Sequence, residues 1–357
     1  MNKDLLDDRF GRFREIPLAL AEKGHKIRGL CLSYARRKQG FHSDGPVLWR
    51  SINATPAKIP GLFVYVLIAV RMAKRSDIIW ACSDSFYGII GCAISKLWGK
   101  TLIFDIYDNF GNFAAAKLPL IRQLYHWAIR KADAITCLSK PFCKLLARDY
   151  RRKVRVYPLE FAVRLDLFRP LNKMECRRAL SLPLEAVIIG TAGLLSKERD
   201  VHLFIEAFDH LQKRNPELHL ALAGHRDQSL EIPKNSRVHD FGVLPFEEIP
   251  RFLNSLDVGV VCYPADDFGK YCFPQKTREL MACRIPMIAS RVGALEELFH
   301  RHSQWLYEPG DLDSLIRALE NRLWDRSADY EEIPTWSDLA GQLEKIMVHL
   351  QKPGFST

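Results

Sequence analysis

The stretch "FPQKTRELMACRIPMIAS", Phe273 to Ser290, places a lysine and a glutamate three residues apart, at Lys276 and Glu279. Pro274 suits the first turn of a helix, where its missing N–H is not needed, and Pro286 cannot continue one. Three residues apart on a helix is one face, and this pair lies at the end where N–H groups point outward and the dipole is positive. There a lysine can reach a phosphate, and a carboxylate can accept hydrogen bonds from vicinal hydroxyls. The plainer alternative is a solvated surface pair. Arg278 points to another face and is assigned to solvent.

Two earlier stretches would end at the same sheet edge. "IGTAGLLSKERDVHLFIEAF" reads as a strand, a turn with Gly190 and Gly193, a basic Lys197/Arg199 pair, and a helix opening near Asp200. Glycine turns feeding helix starts can hold phosphate through backbone N–H groups, although an ordinary strand-to-helix turn has the same look. In "RVHDFGVLPFEEIP" a strand ends at Gly242, and the loop beyond can pass over a flat ring or simply connect elements.

These residues are embedded in two successions of short β-rich runs and longer amphipathic ones, the pattern of a parallel sheet covered by helices. Strands are expected at "KIRGLCLS", "DIIWAC", "TLIFDI", "AITCL" and "VRVYP", then at "AVIIGTAG", "LHLALAG", "RVHDFG", "DVGVVCY" and "PMIAS". Both halves read as doubly wound α/β units. The junction falls in "YPLEFAVRLDLFRPL", residues 157–171, and a ligand cleft between the two sheets is expected from the rule for open α/β sheets. Domains are therefore expected over 1–160 and 161–333, followed by a terminal helix over 334–357 with Ser337 as its N-cap.

Composition sets limits. The 357 residues are 48% hydrophobic and 26% charged, with no short-period repeat. Net charge is +10, but residues 1–160 carry 28 Lys and Arg against 13 Asp and Glu, and the remainder 24 against 29. A basic half suits an anionic membrane surface or phosphorylated molecules. Its positive runs ("ARRKQ", "RMAKR", "RDYRRKVR") lack interleaved aromatics or glycines, so no nucleic-acid partner is expected. The nine cysteines are scattered without a C-x-x-C pair and read as buried thiols of a reducing compartment. "MNKDLLDDRFGRF" has no apolar signal core, which argues against secretion by that route. The ten-residue run "GLFVYVLIAV" is too short to span a bilayer and reads as a core or interfacial helix. "DLD" at 311–313 has the look of a metal motif but opens a helix, which fits an N-cap, and no histidine spacing suggests a ligand set. No carboxylate pair is spaced as glycosidase acid and nucleophile.

In order and spacing, "VYPLEFAVRLDLFRP", "GTAGLLSKERDVHLFIEAF", "FGVLPFEEIPRFLNSLDVGVVCYP", "FPQKTRELMACRIPMIASRVGALEELF" and "LYEPGDLDSLIRAL" resemble the retaining glycosyltransferases of family 4, which have the GT-B fold. The match covers residues 155–325 and, more loosely, the first half. It implies sugar transfer from a nucleotide-sugar donor held by the second domain to a saccharide, lipid-linked or phosphorylated acceptor held by the first. Retention of configuration and a terminal helix crossing back to the first domain are implied too. Lys276, Arg199 and the helix N-terminus would stabilise the leaving diphosphate without a metal, no cofactor beyond the co-substrate is expected, and the basic first half with the absent signal core sets the expected place as cytoplasmic, peripheral at the inner membrane face. Position by position, Lys276, Arg199 and Gly193 match the diphosphate contacts and Glu279 the ribose contact, with Gly242 and Phe273 in donor-site loops.

The chain departs from that pattern at Leu194 (usually Arg), Asp200 (usually Gly) and Tyr271 (usually a sugar-binding Glu, for which Asp266 or Asp267 can substitute). Tyr107 replaces a frequent His, leaving Asp105 and Asp108 as acceptor-side candidates. The usual first strand and glycine-rich loop are missing or reduced to "DDRFGRF". No catalytic residue is assigned. The rival readings are a non-catalytic nucleotide-sugar-binding relative and a nucleotide-sugar epimerase.

Overall fold

The computed structural model describes residues 11–33, 39–54, 58–82, 85–109, 118–150 and 154–351. The opening segment before Gly11, "ARRK" at 35–38, "FGNF" at 110–113 and "RRK" at 151–153 lie outside the described residues. The chain divides into two compact units, one of Met1–Glu160 with Thr335–Thr357, the other of Phe161–Pro334.

In the first unit α1 (Arg12–Glu22) is followed by β1 (Arg28–Ser33), β2 (Gly40–Asp44), β3 (Val47–Asn53), α2 (Lys58–Ala73), β4 (Ile78–Cys82), α3 (Ser85–Trp98), β5 (Thr101–Ile106), α4 (Pro119–Lys131), β6 (Ala134–Cys137), α5 (Lys140–Asp149) and β7 (Arg155–Pro158). The last four strands run parallel in the order β4-β5-β6-β7. β1 pairs in parallel with β3, and β2 is antiparallel to β3. This hairpin departs from the all-parallel expectation. Its signal was the Asp44-Gly45 dipeptide between two runs of alternating exposure.

Cys137 ends β6 and Cys143 lies in α5, and the intervening turn brings them into a disulfide. The expectation of free thiols throughout is corrected there. The six-residue separation carried no C-x-x-C signal, because it is the strand-to-helix turn that folds the two together.

The second unit contains α6 (Lys173–Ala179), β8 (Val187–Ala192), α7 (Val201–Leu211), β9 (Leu218–Ala223), β10 (Val238–Asp240), α8 (Ile249–Asn254), β11 (Val258–Val261), α9 (Asp267–Tyr271), α10 (Gln275–Ala282), β12 (Met287–Ser290), α11 (Gly293–Leu298), β13 (Leu306–Tyr307) and α12 (Leu312–Trp324). Its six strands are ordered β10-β9-β8-β11-β12-β13, every neighbour pair parallel. Strands covered on both faces are apolar throughout rather than alternating, as in β11 and β12, whose residues are all buried. One face packs on Phe252, Leu280, Met281 and Phe299, the other on Phe204, Phe208, Leu315 and Leu319, so helices clothe both sides. At the base of the central pair, the Asp257 carboxylate accepts from Arg177 (2.6 Å) and from the Ile188 amide (2.7 Å), tying β11 to β8.

The last helix, α13 (Trp336–Leu350), lies against α1, and His25 meets Glu344 at 2.7 Å. Its N-cap is Thr335, not Ser337. Thr335 and Asp338 form a reciprocal capping box, which satisfies two exposed donors where a lone Ser337 would satisfy one.

Candidate functional site

Strand order reverses between β8 and β11 in the second unit, and at such a switch point the loops leaving the two strand ends part and leave room for a ligand. Gly193 follows β8, Tyr263 follows β11, and α10 opens alongside.

Gly193 takes φ +121°, and a Cβ added there would fall on Lys276 Nζ. Gly224, at φ +138° after β9, comes so close that a Cβ on it would meet the Gly193 carbonyl. Both positions require glycine, for left-handed backbone and for space. The result is a lysine ammonium lying on bare backbone at the strand ends. Gly242 sits behind this layer, its carbonyl accepting from the Gly224 amide at 2.6 Å.

Among the described residues no hydrogen bond or ion pair reaches Lys276 Nζ. Burial pulls its pKa below the ordinary lysine range, opposed by the Glu279 charge and assisted by the Arg199 charge. One helical turn on, Glu279 is 9% exposed and accepts from Gln275 Nε2 at 3.2 Å. Burial pushes its carboxyl pKa up, against the pull of Lys276 and of the Gln275 hydrogen bond. The two charges feel each other without being paired.

Arg199 closes the short 3-10 turn Lys197–Arg199 and donates from Nη1 to Tyr263 Oη at 2.6 Å. Its guanidinium also lies 4.2 Å from the Phe268 ring centre and 5.0 Å from that of Tyr263, two rings stacked on each other at 5.6 Å. Tyr263 and Phe268 escaped sequence reasoning. Neither stands at a telling interval from Arg199, and only the approach of the β8 and β11 loops unites them.

The departures acquire physical reasons. Asp200 takes φ +55°, the left-handed region in which glycine is at ease and Asp is among the more tolerated side chains. Burial, with Asp266 nearby, raises its carboxyl pKa. Leu194 stands 44% exposed, an apolar side chain where the resemblance expects a cation. Tyr271 ends α9, and Asp266 caps that helix by accepting from the Gly269 amide at 2.9 Å, so one of its oxygens is already engaged, while Asp267 is exposed in the first turn.

Two expectations are corrected. Arg278 is not at the surface: it is 6% exposed, with its guanidinium 5.2 Å from the ring centre of the buried Phe273. Helical spacing placed it on a different face from Lys276, but α10 is covered on that face as well. Asp105 is not available to a ligand either. It is wholly buried and accepts from Arg12 Nη2 at 2.8 Å and Thr136 Oγ1 at 2.5 Å. Asp108, just past β5, is partly exposed and accepts from the Asn109 amide. Asp311 caps α12, accepting from the Ser314 amide at 2.9 Å.

The fold is that of known structures. Sucrose-phosphate synthase from Thermosynechococcus elongatus superposes with a TM-score of 0.70 at 17% identity, covering 95% of this chain and 92% of that one. HepE from Anabaena, in complex with UDP-glucose, gives 0.64 at 17% identity over 91% and 97%. The GT-B architecture expected from the sequence is thus the fold of the chain. Residues 186–325 match the family described as Glycosyl transferases group 1. A D-inositol 3-phosphate glycosyltransferase of Saccharomonospora viridis is 28% identical over 151 residues, 37% of this chain and 33% of that protein. The chain thus spans about a third of the length of that curated relative.

Proposed function

We propose that the protein is a glycosyltransferase that moves a sugar from a nucleoside diphosphate donor to a saccharide, lipid-linked or phosphorylated acceptor, with retention of configuration and without a metal. One observation carries this reading: a part-buried Lys276, unpaired among the described residues, lies on the Gly193 backbone at the switch point, with the buried Glu279 one turn along the same helix. The family match over residues 186–325 and the UDP-glucose complex of a protein with the same fold support it.

Lys276 and Arg199 bind the donor diphosphate, and Glu279 accepts hydrogen bonds from the ribose hydroxyls. When the bond between the anomeric carbon and the phosphate oxygen breaks, negative charge grows on the diphosphate and positive character on the sugar ring. Cations held beside the leaving oxygens therefore stabilise the transition state more than the ground state. Placement matters most for Arg199, whose guanidinium is oriented before any ligand arrives by Tyr263 and Phe268. Asp108 remains as the acceptor-side carboxylate.

Thermal melts with a panel of UDP, GDP and ADP sugars, with and without EDTA, test the donor and the metal independence. A rise in melting temperature with one base, kept in EDTA and lost in Lys276→Ala, is the expected result. Absence of any shift across the panel overturns the reading. The anomeric configuration of the product, read by proton NMR, decides retention.

A further inference from the structure

The basic first unit has a helix with an unusual outer face. Helix α2 buries Tyr65 and Ile68, with Leu62, Val66 and Met72 packed beside them, into a cluster with Leu32 and Ile52. A helix apolar all round is ordinarily buried all round. Here Phe63 is 64% exposed, and Val64 and Leu67 are 43% exposed each. Positions 63, 64 and 67 are one stripe, which the helical repeat carries on to Arg71 and then Lys74, both exposed.

The stripe does not end in open solvent. Lys74 Nζ lies 4.4 Å from the ring centre of Trp98, which ends α3 and is itself 36% exposed, and the preceding Leu97 is 64% exposed. Exposed apolar side chains that run on to arginine and lysine, with a tryptophan beside the lysine, combine the groups that meet acyl chains, the interface and an anionic headgroup layer. Arg75, Lys96 and Lys100 stand next to these residues in sequence and add charge of the same sign, in a half whose balance is strongly positive.

We infer that the outward face of α2, with Leu97 and Trp98, docks on an anionic lipid bilayer. Phe63, Val64 and Leu67 enter the acyl boundary, Trp98 sits at headgroup level, and Arg71 and Lys74 meet the lipid phosphates. The charge selects this occupant over a second copy of the chain, which would set Arg71 and Lys74 against a surface bearing the same cations. Nothing here spans: no described helix is long and apolar enough to cross a membrane. The inference does not rest on the donor site, since every residue in it belongs to the first unit.

Flotation of the full chain with phosphatidylcholine vesicles and with vesicles containing phosphatidylglycerol tests it, at low and high salt. Recovery with the anionic vesicles alone, weakened by salt, is expected. Phe63→Glu with Leu67→Glu should reduce recovery to background. Arg71→Gln with Lys74→Gln should lower partitioning roughly 30-fold, each cation near such a surface being worth about fivefold. These positions are exposed, so melting temperatures and donor-induced shifts should stay at wild-type values, which separates failure here from failure of the transferase reading. Equal recovery with both lipids, or undiminished recovery of the Phe63/Leu67 variant, overturns the inference. So does a dimer in ultracentrifugation that this variant dissolves, which assigns the face to a second copy.

Discussion

Each unit contains a buried or part-buried cation near a buried carboxylate, and the two arrangements differ in what completes them. In the first, Arg12 and Asp105 are 1% and 0% exposed and bond directly at 2.8 Å, with the Leu159 carbonyl taking Arg12 Nη1 and Thr136 donating to the carboxylate. In the second, Lys276 and Glu279 influence each other's ionisation but form no ion pair among the described residues, and burial drives both toward their neutral forms. The first carboxylate is bonded directly to its cation and fastens α1 to the end of β5, although burial still raises the Asp105 pKa and its Oδ2 accepts no hydrogen bond among the described residues. The second keeps its charges at a cost that a bound partner would offset. Burial of charge alone does not separate scaffold from site; the origin of the compensating charge does.

Breaking the first pair should have the largest effect. Arg12→Ala leaves Asp105 buried without its cation and should lower unfolding free energy by about 3–5 kcal/mol, measured by urea denaturation, with little change in nucleotide affinity relative to the folded fraction. If Lys276→Ala destabilised the free protein as much, the contrast would collapse. Instead the melting temperature of the free protein should stay or rise, while transfer slows by about 10²–10³-fold, or 2.7–4 kcal/mol of barrier, by comparison with loss of one oxyanion donor.

The same lysine sets a pH dependence. On the proposed reading its protonated form binds diphosphate, so affinity should be full at low pH and fall as pH rises through a pKa that burial has moved below the ordinary lysine value. Calorimetric titration across that range should show the loss, and Lys276→Arg, whose guanidinium does not titrate there, should postpone it. Glu279→Gln keeps the shape but replaces charged by neutral hydrogen bonds, which should weaken nucleotide binding by about 1–2 kcal/mol in the same calorimeter. The smallest effect belongs to Asp200→Gly. Relief of the left-handed backbone should raise stability by about 0.5–1 kcal/mol, and loss of the carboxylate should tighten diphosphate binding modestly, both readable in melts with and without nucleotide.

Most of the second unit's parallel strands and the helices of its site were legible from periodicity, because strands buried on both faces and helices with one apolar face carry their environment in their spacing. The β2/β3 hairpin, α6, α9 and the two-residue β13 were not anticipated. Short elements bury too few residues to establish a period, and the hairpin hid behind an expectation of parallel strands. Helix position and turn chemistry single out Lys276, Glu279 and Gly193, and the structure lays Lys276 against Gly193 with Glu279 one turn along α10. Arg278 was misassigned because a helical repeat tells which residues share a face and not how many faces the fold covers.

What the sequence determined by itself was local: the turn glycines, the helix that begins at Pro274, the face shared by Lys276 and Glu279, and the uneven charge of the two halves. Tertiary structure decided which charges are compensated. Asp105 looked as available as Asp108 until α1 brought Arg12 to it across 93 positions, and Arg199 acquired its orientation only when β11 set Tyr263 beside it. The energy of a buried charge depends on every group within a few ångströms, and those groups come from strands that are neighbours in the sheet and distant in the chain.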